Sequence, residues 1–278
     1  MSYSKRRDMK NKILWSLLCL AGLCVSAAAQ GTFQPKSIDD TPQGIVYNKE
    51  FTVNFTANTN GYALGMEFGR LRTYYKTKYY HFSIGELKHP REKRSDFQGA
   101  TRPSTVAARS YIYGKQNNLY AVRAGFGTKR YLTEKAREKG VSVGYNYEFG
   151  PTLGLLKPYY LEVYAPENIG QQSFRSVRYT EETAAEFSDP TRIYGASSRG
   201  KGFGELNPTL GGHAKFSVHF DWGAFDEFVK ALDAGVMVDL FLNKTPIMID
   251  GENINNEAVE NRNLFLNLFV NLQFGKRR

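Results

Sequence analysis

Apolar and polar side chains alternate along many segments of the chain between Glu50 and the C-terminus. The last segment carries an apolar row made of Leu264, Leu266, Leu268, Val270, Leu272 and Phe274. The positions between them hold mostly amides, namely Asn263, Asn267, Asn271 and Gln273, together with Phe265 and Phe269. Because successive side chains of a β-strand point to opposite faces, this pattern predicts a strand with one apolar and one largely amide face.

Earlier segments repeat the alternation, with charged residues and glycines on the second face. The run 231–242 places Asp233 and Asp239 opposite a row of leucines and valines, and the runs 215–222 and 141–149 follow the same design. Acids on a strand with so apolar an opposite face need a wet or paired environment. The polar faces are therefore expected to meet one another.

Counting such segments predicts about ten antiparallel strands, with eight to twelve possible. The expected strands are 50–59, 61–72, 75–88, 106–114, 118–129, 139–149, 152–164, 210–222, 228–243 and 262–274. The weakest is 106–114, which carries little alternation. Lys157-Pro158 conflicts with the seventh strand, since proline cannot donate to a ladder, so a β-bulge or a break is expected there.

The N-terminus has the three parts of a secretory signal peptide. Five basic residues precede an apolar core at 13–25, and small residues at 27–29 form a cleavage site. An uncleaved helix and lipidation at Cys24 are the alternatives, but the core is short and Leu23 is large for the position before a lipidated cysteine. The expected organisation is a signal peptide (1–29), a periplasmic segment (30–49), a barrel (50–274) and a C-terminal tail (275–278).

A soluble β-sandwich and a transmembrane barrel both produce this alternation. Three observations favour the barrel: the export signal, the length of the runs, and the Gly, Ser, Asn and charged character of the second face. Strands in sandwiches average about five or six residues, whereas strands that cross a membrane need roughly nine to eleven. We therefore expect an all-β fold, an antiparallel transmembrane β-barrel.

Loop lengths agree with this interpretation, because outer-membrane barrels have short periplasmic turns and long outer loops. With the C-terminus in the periplasm, the short turns fall near Thr73, 115–117, 150–151 and 223–227, and the long loops at 90–105, 165–209 and 244–261 face outside. Residues 180–187 are expected to form a short helix. The loop 165–209 is either functional or a mobile surface loop.

Three short segments carry a resemblance to a family, namely Tyr113-Gly114-Lys115-Gln116-Asn117-Asn118, Gly154-Leu155-Leu156-Lys157-Pro158 and the ending Phe274-Gly275-Lys276-Arg277. The chain resembles a group of uncharacterised outer-membrane β-barrel proteins of Bacteroidota. The resemblance implies a fold and an outer-membrane location in a Gram-negative bacterium rather than a reaction. It also implies a C-terminal insertion signal for the outer-membrane insertion machinery, formed by Leu268, Val270, Leu272 and Phe274.

Charge and cysteine content exclude several functions. The whole chain has a net charge of +10, and without 1–29 it keeps 32 basic and 26 acidic residues, a balance of +6. Acids and bases alternate everywhere instead of forming one basic face, so no nucleic-acid partner is expected. Both cysteines, Cys19 and Cys24, lie in the signal peptide, which excludes disulfides, thiolate catalysis and cysteine metal sites from the mature chain.

If the apolar faces meet lipid, the charged side chains of the strands converge inside the barrel. The expected interior polar network consists of Glu67, His81, Arg123, Glu148, Lys215, His219, Asp221, Asp233 and Asp239. Side chains fill the interior of a narrow barrel, and buried charges persist only when paired, so a structural role is favoured. His219 and Asp221 share a strand face, as a general base and its orienting carboxylate would, but lie near the turn at Gly223.

The function expected from these observations is non-enzymatic: a structural or accessory component of an outer-membrane assembly for protein insertion, secretion or export. A narrow porin-like channel and a surface hydrolase are the alternatives. The expected partners are outer-membrane lipids, the insertion machinery during biogenesis, and other outer-membrane or periplasmic proteins. No catalytic residue, cofactor or metal site is expected. His213 and His219 are well separated along their strand, and Gly200–Gly204 lacks the strand and helix of a phosphate-binding loop.

Overall fold

The computed structural model describes residues 47–73, 75–95, 109–133, 140–165, 173–224, 226–252 and 258–278. The expected signal peptide and nearly all of the expected periplasmic segment lie outside these residues. The long strands are β1 (Lys49–Asn58), β2 (Gly61–Thr73), β3 (Lys76–Leu87), β6 (Asn117–Tyr131), β7 (Ser142–Pro158), β11 (Asn207–Asp221), β12 (Phe228–Phe241) and β15 (Leu264–Arg277). The connections hold β4 (Arg94–Ser95), β5 (Tyr111–Ile112), β8 (Tyr160–Ala165), β9 (Ser173–Arg178), helix α1 (Ala184–Phe187), β10 (Ile193–Ala196), β13 (Gly251–Glu252) and β14 (Ala258–Val259).

The eight long strands form one closed antiparallel barrel. Their order around the barrel is β1-β15-β12-β11-β7-β6-β3-β2, and β2 pairs with β1. The first and last strands close the barrel with Glu50 opposite Arg277 and Asn58 opposite Phe269. Closure leaves no unpaired sheet edge, which is what a sheet needs in order to cross a lipid bilayer. The predicted all-β barrel class is confirmed, with the strand number at the lower limit of the predicted range.

The difference between ten and eight strands has two sources. The predicted strand 139–149 and the first part of the predicted strand 152–164 form one continuous strand, β7, of 17 residues, while residues 160–164 belong to β8 outside the barrel. In the predicted strand 106–114, only Tyr111–Ile112 is extended among the described residues, and it pairs with β4 outside the barrel. The segment lacks the strict alternation of the other strands, and its ladder partner is a two-residue strand of a loop.

Gly150 and Pro151 were expected to form a turn, but they lie within β7. Pro151 is opposite Gly212 of β11 in a regular ladder. A Cβ atom on Gly150 would lie 2.0 Å from the carbonyl oxygen of Ala124 on β6. Glycine is used here for close approach of two strands. The local Gly-Pro turn signal is overridden by pairing with β11, and the ladder with β6 is interrupted at these two residues and continues on either side of them.

Connections of different length lie at opposite ends of the barrel. The end that holds Lys49 and Arg277 is called the terminal end, and it has the connections 74–75, 132–141 and 222–227. The opposite end, called the loop end, has the turn 59–60 and the long connections 88–116, 159–206 and 242–263. The three predicted long loops lie at the loop end, and the predicted short turns near Thr73 and 223–227 lie at the terminal end. Two predicted short turns are wrong: 115–117 lies at the loop end, and 150–151 lies within β7.

Apolar side chains cover the outside of the barrel and polar side chains fill the inside. Along β15 exposed and buried residues alternate, so that Leu266 and Leu268 point outward while Asn267 and Asn271 are buried. The same alternation holds on β1 and on most of β3. The outside is therefore apolar where it would meet lipid hydrocarbon, as in a transmembrane barrel.

The expected tail 275–278 belongs to the last strand, which continues to Arg277. Gly275, Lys276 and Arg277 pair with Thr52, Phe51 and Glu50 of β1. The Arg277 side chain is buried and forms ion pairs with two carboxylates. These ion pairs stabilise the continuation of the strand beyond Phe274. Phe274 itself points outward and is exposed, and its role as an insertion signal stays a prediction.

Of the bulge or break expected at Lys157-Pro158, the break forms, because β7 ends at Pro158 and β8 begins at Tyr160. Asn118 is opposite Lys157, and Asn117 is opposite Pro158, in the same register as the rest of the β6–β7 ladder. Proline is tolerated because β7 ends there.

The long connection 159–206 has a core of its own. Strands β10, β8 and β9 form a three-stranded sheet in that order, beside helix α1. Its buried apolar residues are Tyr111, Leu161, Val163, Val177, Phe187 and Ile193. The helix expected at 180–187 is confirmed over its last turn. None of the described helices has the length and apolar character needed to cross a membrane.

Leu268 and Asn267 test the inside and outside assignments one residue apart. Leu268 is 66% exposed on the outer face, whereas Asn267 is 0% exposed and its amide has no hydrogen-bond partner among the described residues. Arginine at an outer position near the bilayer midplane costs roughly 2–4 kcal/mol. We expect Leu268→Arg to lose most of the folded, fast-migrating form on unheated gels, while Asn267→Ser folds normally. The opposite result would reverse the two faces.

Candidate functional site

The nine residues expected to form the interior polar network all point into the barrel. Eight of them are buried, and Lys215 is half-buried. They come from six strands: β2 (Glu67), β3 (His81), β6 (Arg123), β7 (Glu148), β11 (Lys215, His219, Asp221) and β12 (Asp233, Asp239). The closed barrel brings them together because each lies on the polar face of its strand.

The interior set divides into four groups along the barrel. The group nearest the terminal end is centred on Arg277. The Nε of Arg277 lies 2.8 Å from Oε2 of Glu50, and its Nη2 lies 2.8 Å from Oδ2 of Asp221. The hydroxyl of Tyr131 donates to the same Asp221 oxygen at 2.7 Å. One cation thus holds two carboxylates, one on the first strand and one on β11.

The second group surrounds Asp233, which accepts bonds from three amides. Gln273, Asn146 and Asn271 donate to its two oxygens at 2.6, 3.0 and 3.2 Å. The Nδ1 of His219 lies 2.5 Å from Oδ1 of the same carboxylate. A buried carboxylate with this many donors is fully compensated for the water that it has lost.

Glu67 is joined to both of these groups. Its Oε1 accepts from Asn54 at 2.7 Å and from Gln273 at 3.2 Å. Lys129, fully buried, lies 3.6 Å from Glu67 and 3.1 Å from Glu50. A continuous chain of charges therefore runs from the terminal end to the middle of the barrel.

The third group gathers three basic side chains around one carboxylate oxygen. Oε1 of Glu148 lies 2.8 Å from His81, 3.0 Å from His213 and 3.2 Å from Lys215. Gly125 makes room for this carboxylate, because a Cβ atom there would lie 2.4 Å from the same oxygen. The fourth group, nearest the loop end, is the pair Arg123 and Asp239, joined by two hydrogen bonds of 2.7 and 3.0 Å.

The interior geometry matches charge pairing better than catalysis. His219 and Asp221 are 3.9 Å apart, beyond hydrogen-bond distance, and His219 is bound to Asp233 instead. The histidines His213 and His219 belong to different groups. Among the described residues, no set of three or more His, Cys, Asp or Glu side chains is arranged to hold a metal ion. The network thus satisfies most of its own members, and among the described residues Nε2 of His219 and Oε2 of Glu67 have no hydrogen-bond partner.

An apolar cluster lies above the polar groups at the loop end. Strand residues Leu87, Leu119, Leu156, Phe241 and Phe265 pack there with Ile247, Met248 and Val259 of the connection 242–263. Asn261 holds this connection in place. Its Oδ1 accepts from the backbone N–H groups of Ile247 and Met248, and its Nδ2 donates to the carbonyl of Met248. The loop end is closed by an apolar layer whose backbone is satisfied.

His89 fastens a second connection beside this layer. Its Nδ1 accepts from the backbone N–H of Arg91 at 3.2 Å, and its Nε2 lies 3.2 Å from the carbonyl oxygen of Glu260. These contacts require a neutral imidazole with the proton on Nε2. Burial lowers the pKa of His89, which favours that neutral form.

Sequence reasoning missed part of the interior set. Glu50, Lys129 and Arg277 are buried and paired, but they were not among the nine expected residues. The alternation of inward and outward positions along β6 could have identified Lys129, since it lies six positions after Arg123 and therefore on the same face. Arg277 was missed because its segment was taken as a tail.

The comparisons with known proteins give little beyond the fold. No protein-family model matches the chain, and no curated protein matches it. The resemblance to a Bacteroidota family therefore stays a prediction. Among solved structures, the crystal structure of Ail, the attachment invasion locus protein of Yersinia pestis, is similar with a TM-score of 0.36 and 7% identity, over 84% of this chain and 100% of that one.

The closed barrel, its apolar outside and its paired polar inside define a class of protein. These are the features of a transmembrane β-barrel of the outer-membrane type. The assignment to this class follows from the chain's own geometry.

The Arg123–Asp239 pair gives a test of interior pairing. Asp239→Ala leaves the buried Arg123 guanidinium without its carboxylate, a change that costs roughly 3–5 kcal/mol. The double variant Arg123→Met with Asp239→Leu removes both charges and should unfold much closer to the wild type. Urea unfolding in lipid vesicles measures both. Equal losses in the single and double variants would contradict the pairing argument.

The state of His89 predicts a pH effect confined to the loop end. Its pKa is lower in the folded state than in the unfolded one, so its contribution to stability is present above about pH 6.5 and is lost as the pH falls through the folded value. Glu260 does not titrate in this range, because Lys244 holds its pKa below its ordinary value.

Amide hydrogen exchange at Arg91, corrected for its intrinsic pH dependence, measures this effect. Protection should fall between pH 7.5 and 5.5 in the wild type and stay level in His89→Gln. Level protection in the wild type would show that His89 does not control the connection.

Proposed function

We propose that the protein is a non-enzymatic barrel of the outer membrane that serves as a structural or accessory component of an outer-membrane assembly. The assembly would act in protein insertion, secretion or export. Lipids of that membrane surround the barrel, and the insertion machinery binds it during biogenesis. Other outer-membrane or periplasmic proteins are its working partners.

The filled interior is the observation that carries this proposal. Four groups of paired side chains occupy the barrel from Arg277 at the terminal end to Arg123 near the loop end, and an apolar layer lies above them. A channel needs a continuous wet path, and an enzyme needs a substrate-accessible group. The His219–Asp233 pair, the nearest candidate for a base, is fully enclosed.

The folded connection at the loop end supplies a surface suited to a partner. Within the described residues, β9 and β10 each pair only with β8, so each has a free edge. Phe174 on β9 is 41% exposed and packs against Tyr164 and Tyr194. Exposed strand edges and aromatic side chains are common features of protein–protein contact surfaces.

Planar-bilayer recordings test the closed interior. The pure wild-type protein should give no steady conductance steps, because paired side chains and an apolar layer occupy the described part of the barrel interior. A known porin in the same bilayer is the control. Reproducible steps from the pure protein would contradict the closed barrel and favour a narrow channel.

Affinity capture from gently solubilised native membranes tests the assembly role. We expect the wild type to retain a stoichiometric outer-membrane or periplasmic protein, and Phe174→Ser to lose most of it. Leu132→Ser, which changes an exposed apolar residue at the terminal end, is the matched control. No retained partner, or equal loss in both variants, would contradict this role for β9.

A further inference from the structure

A cavity of about 570 Å³ lies at the loop end, on the outer flank of the barrel. Strands β2, β3, β6 and β7 line one side through outward-facing residues, including Tyr62, Glu86 and Tyr120. The connection 159–206 lines the other side through Tyr160, Ser198 and neighbouring residues. The cavity is thus separate from the barrel interior.

The strand register places this cavity directly beside the band of outward-facing apolar side chains that surrounds the barrel, which is called the apolar belt. Tyr62 is opposite Glu86, and Glu86 is opposite Tyr120, so these residues lie at one level. The next outward-facing level toward the terminal end is entirely apolar, with Leu64, Ile84, Val122 and Leu153. Two residues of a strand span roughly 7 Å. The edge of the cavity that faces the terminal end is therefore expected to lie at the boundary between the lipid hydrocarbon and the lipid headgroups.

The cavity is strongly cationic. It is lined by six basic residues, Lys88, Arg94, Lys115, Lys157, Arg199 and Lys201, and by two acids, Glu86 and Glu92, a balance of +4. Lys115 is paired with Glu92 at 2.7 Å, and Lys201 donates to Ser176. Lys88, Arg94 and Arg199 have no carboxylate within ion-pair distance among the described residues.

Lys157 is the most buried of these cations apart from Lys115, which is paired with Glu92. Its side chain is 4% exposed, yet its ammonium has no carboxylate partner among the described residues. It donates to the carbonyl oxygen of Arg199 at 2.6 Å and lies 4.2 Å from the ring centroid of Phe203. A buried ammonium without an anion is costly unless a ligand supplies the missing charge.

We propose that this cavity binds the headgroup of an anionic phospholipid of the membrane, with Lys157, Arg199 and Lys88 as its charged contacts. The lipid's acyl chains would lie on the apolar level formed by Leu64, Ile84, Val122 and Leu153. Guanidinium and ammonium groups are the side chains that bind phosphate most strongly. This inference requires a membrane-embedded barrel but not the accessory role proposed above.

The position of the cavity favours a lipid over a soluble anion or an acidic peptide. Two of its tyrosines, Tyr62 and Tyr120, are outward-facing strand residues at the level where amphipathic aromatic rings concentrate in membrane barrels. On the side of the terminal end, the outward-facing residues next to the cavity are all apolar and belong to the apolar belt. A soluble ligand would make no use of that continuity.

Native mass spectrometry of the full chain, released from mixed micelles of phosphatidylglycerol and phosphatidylcholine in equal amounts, tests the proposal. The wild type should retain one phosphatidylglycerol in preference to phosphatidylcholine. The variant Lys88→Gln with Arg199→Gln should lower the apparent affinity for it roughly tenfold, as expected when charge-assisted contacts are lost. Both residues are exposed, so folding should be unaffected.

The matched control is Lys244→Gln with Arg262→Gln, which removes one lysine and one arginine from a connection outside the cavity. It should retain the lipid as the wild type does. Equal retention of the two lipids, or equal loss in both double variants, would overturn the proposal. Displacement of the lipid by glycerol phosphate at the same concentration would show a general anion site and would also overturn it.

Discussion

Closure of the barrel obliges eight strands to bring their polar faces into one narrow space, and every charge placed there must find a partner. A lone buried ion costs several kcal/mol, whereas a paired and hydrogen-bonded one is tolerated. The contacts of Arg277 with Glu50 and Asp221 show how this constraint shapes the fold. They bind the first strand, the last strand and β11 together at one end, so interior pairing and barrel closure are the same requirement.

The alternation of side chains predicted the fold class and the direction of each face, because that pattern is local to a strand. The strand count depended on partners far away in sequence. Gly150 and Pro151 carry a strong turn signal, but their ladder with β11 keeps them extended. Tyr111–Ile112 carries a weak strand signal and is extended only in a two-residue ladder outside the barrel. Pairing between distant segments decided both cases.

The interior residues could be identified from the alternation of side chains along each strand. The way in which they form groups could not be predicted from that alternation. The nine expected residues point inward because each alternates with an apolar neighbour. Which carboxylate meets which cation depends on the register between strands, as the meeting of His219 with Asp233 rather than Asp221 shows. Arg277 could not be recognised as interior while its segment was expected to be a tail. The cavity beside Lys157 was beyond prediction, since it brings outward-facing strand residues together with residues distant in sequence, such as Arg199, 42 positions after Lys157.

Residues 30–278 contain no cysteine, because Cys19 and Cys24 both lie within 1–29, and a chain that begins at Gln30 therefore offers a direct test of which face meets lipid. Single cysteines placed along β15 from Leu264 to Phe274 can be labelled with an environment-sensitive fluorophore and exposed to brominated lipid. Quenching should alternate, strong at Leu266, Leu268 and Val270 and weak at Asn267. Quenching at the amide positions instead, or none at any position, would contradict a lipid-facing apolar surface with a polar interior.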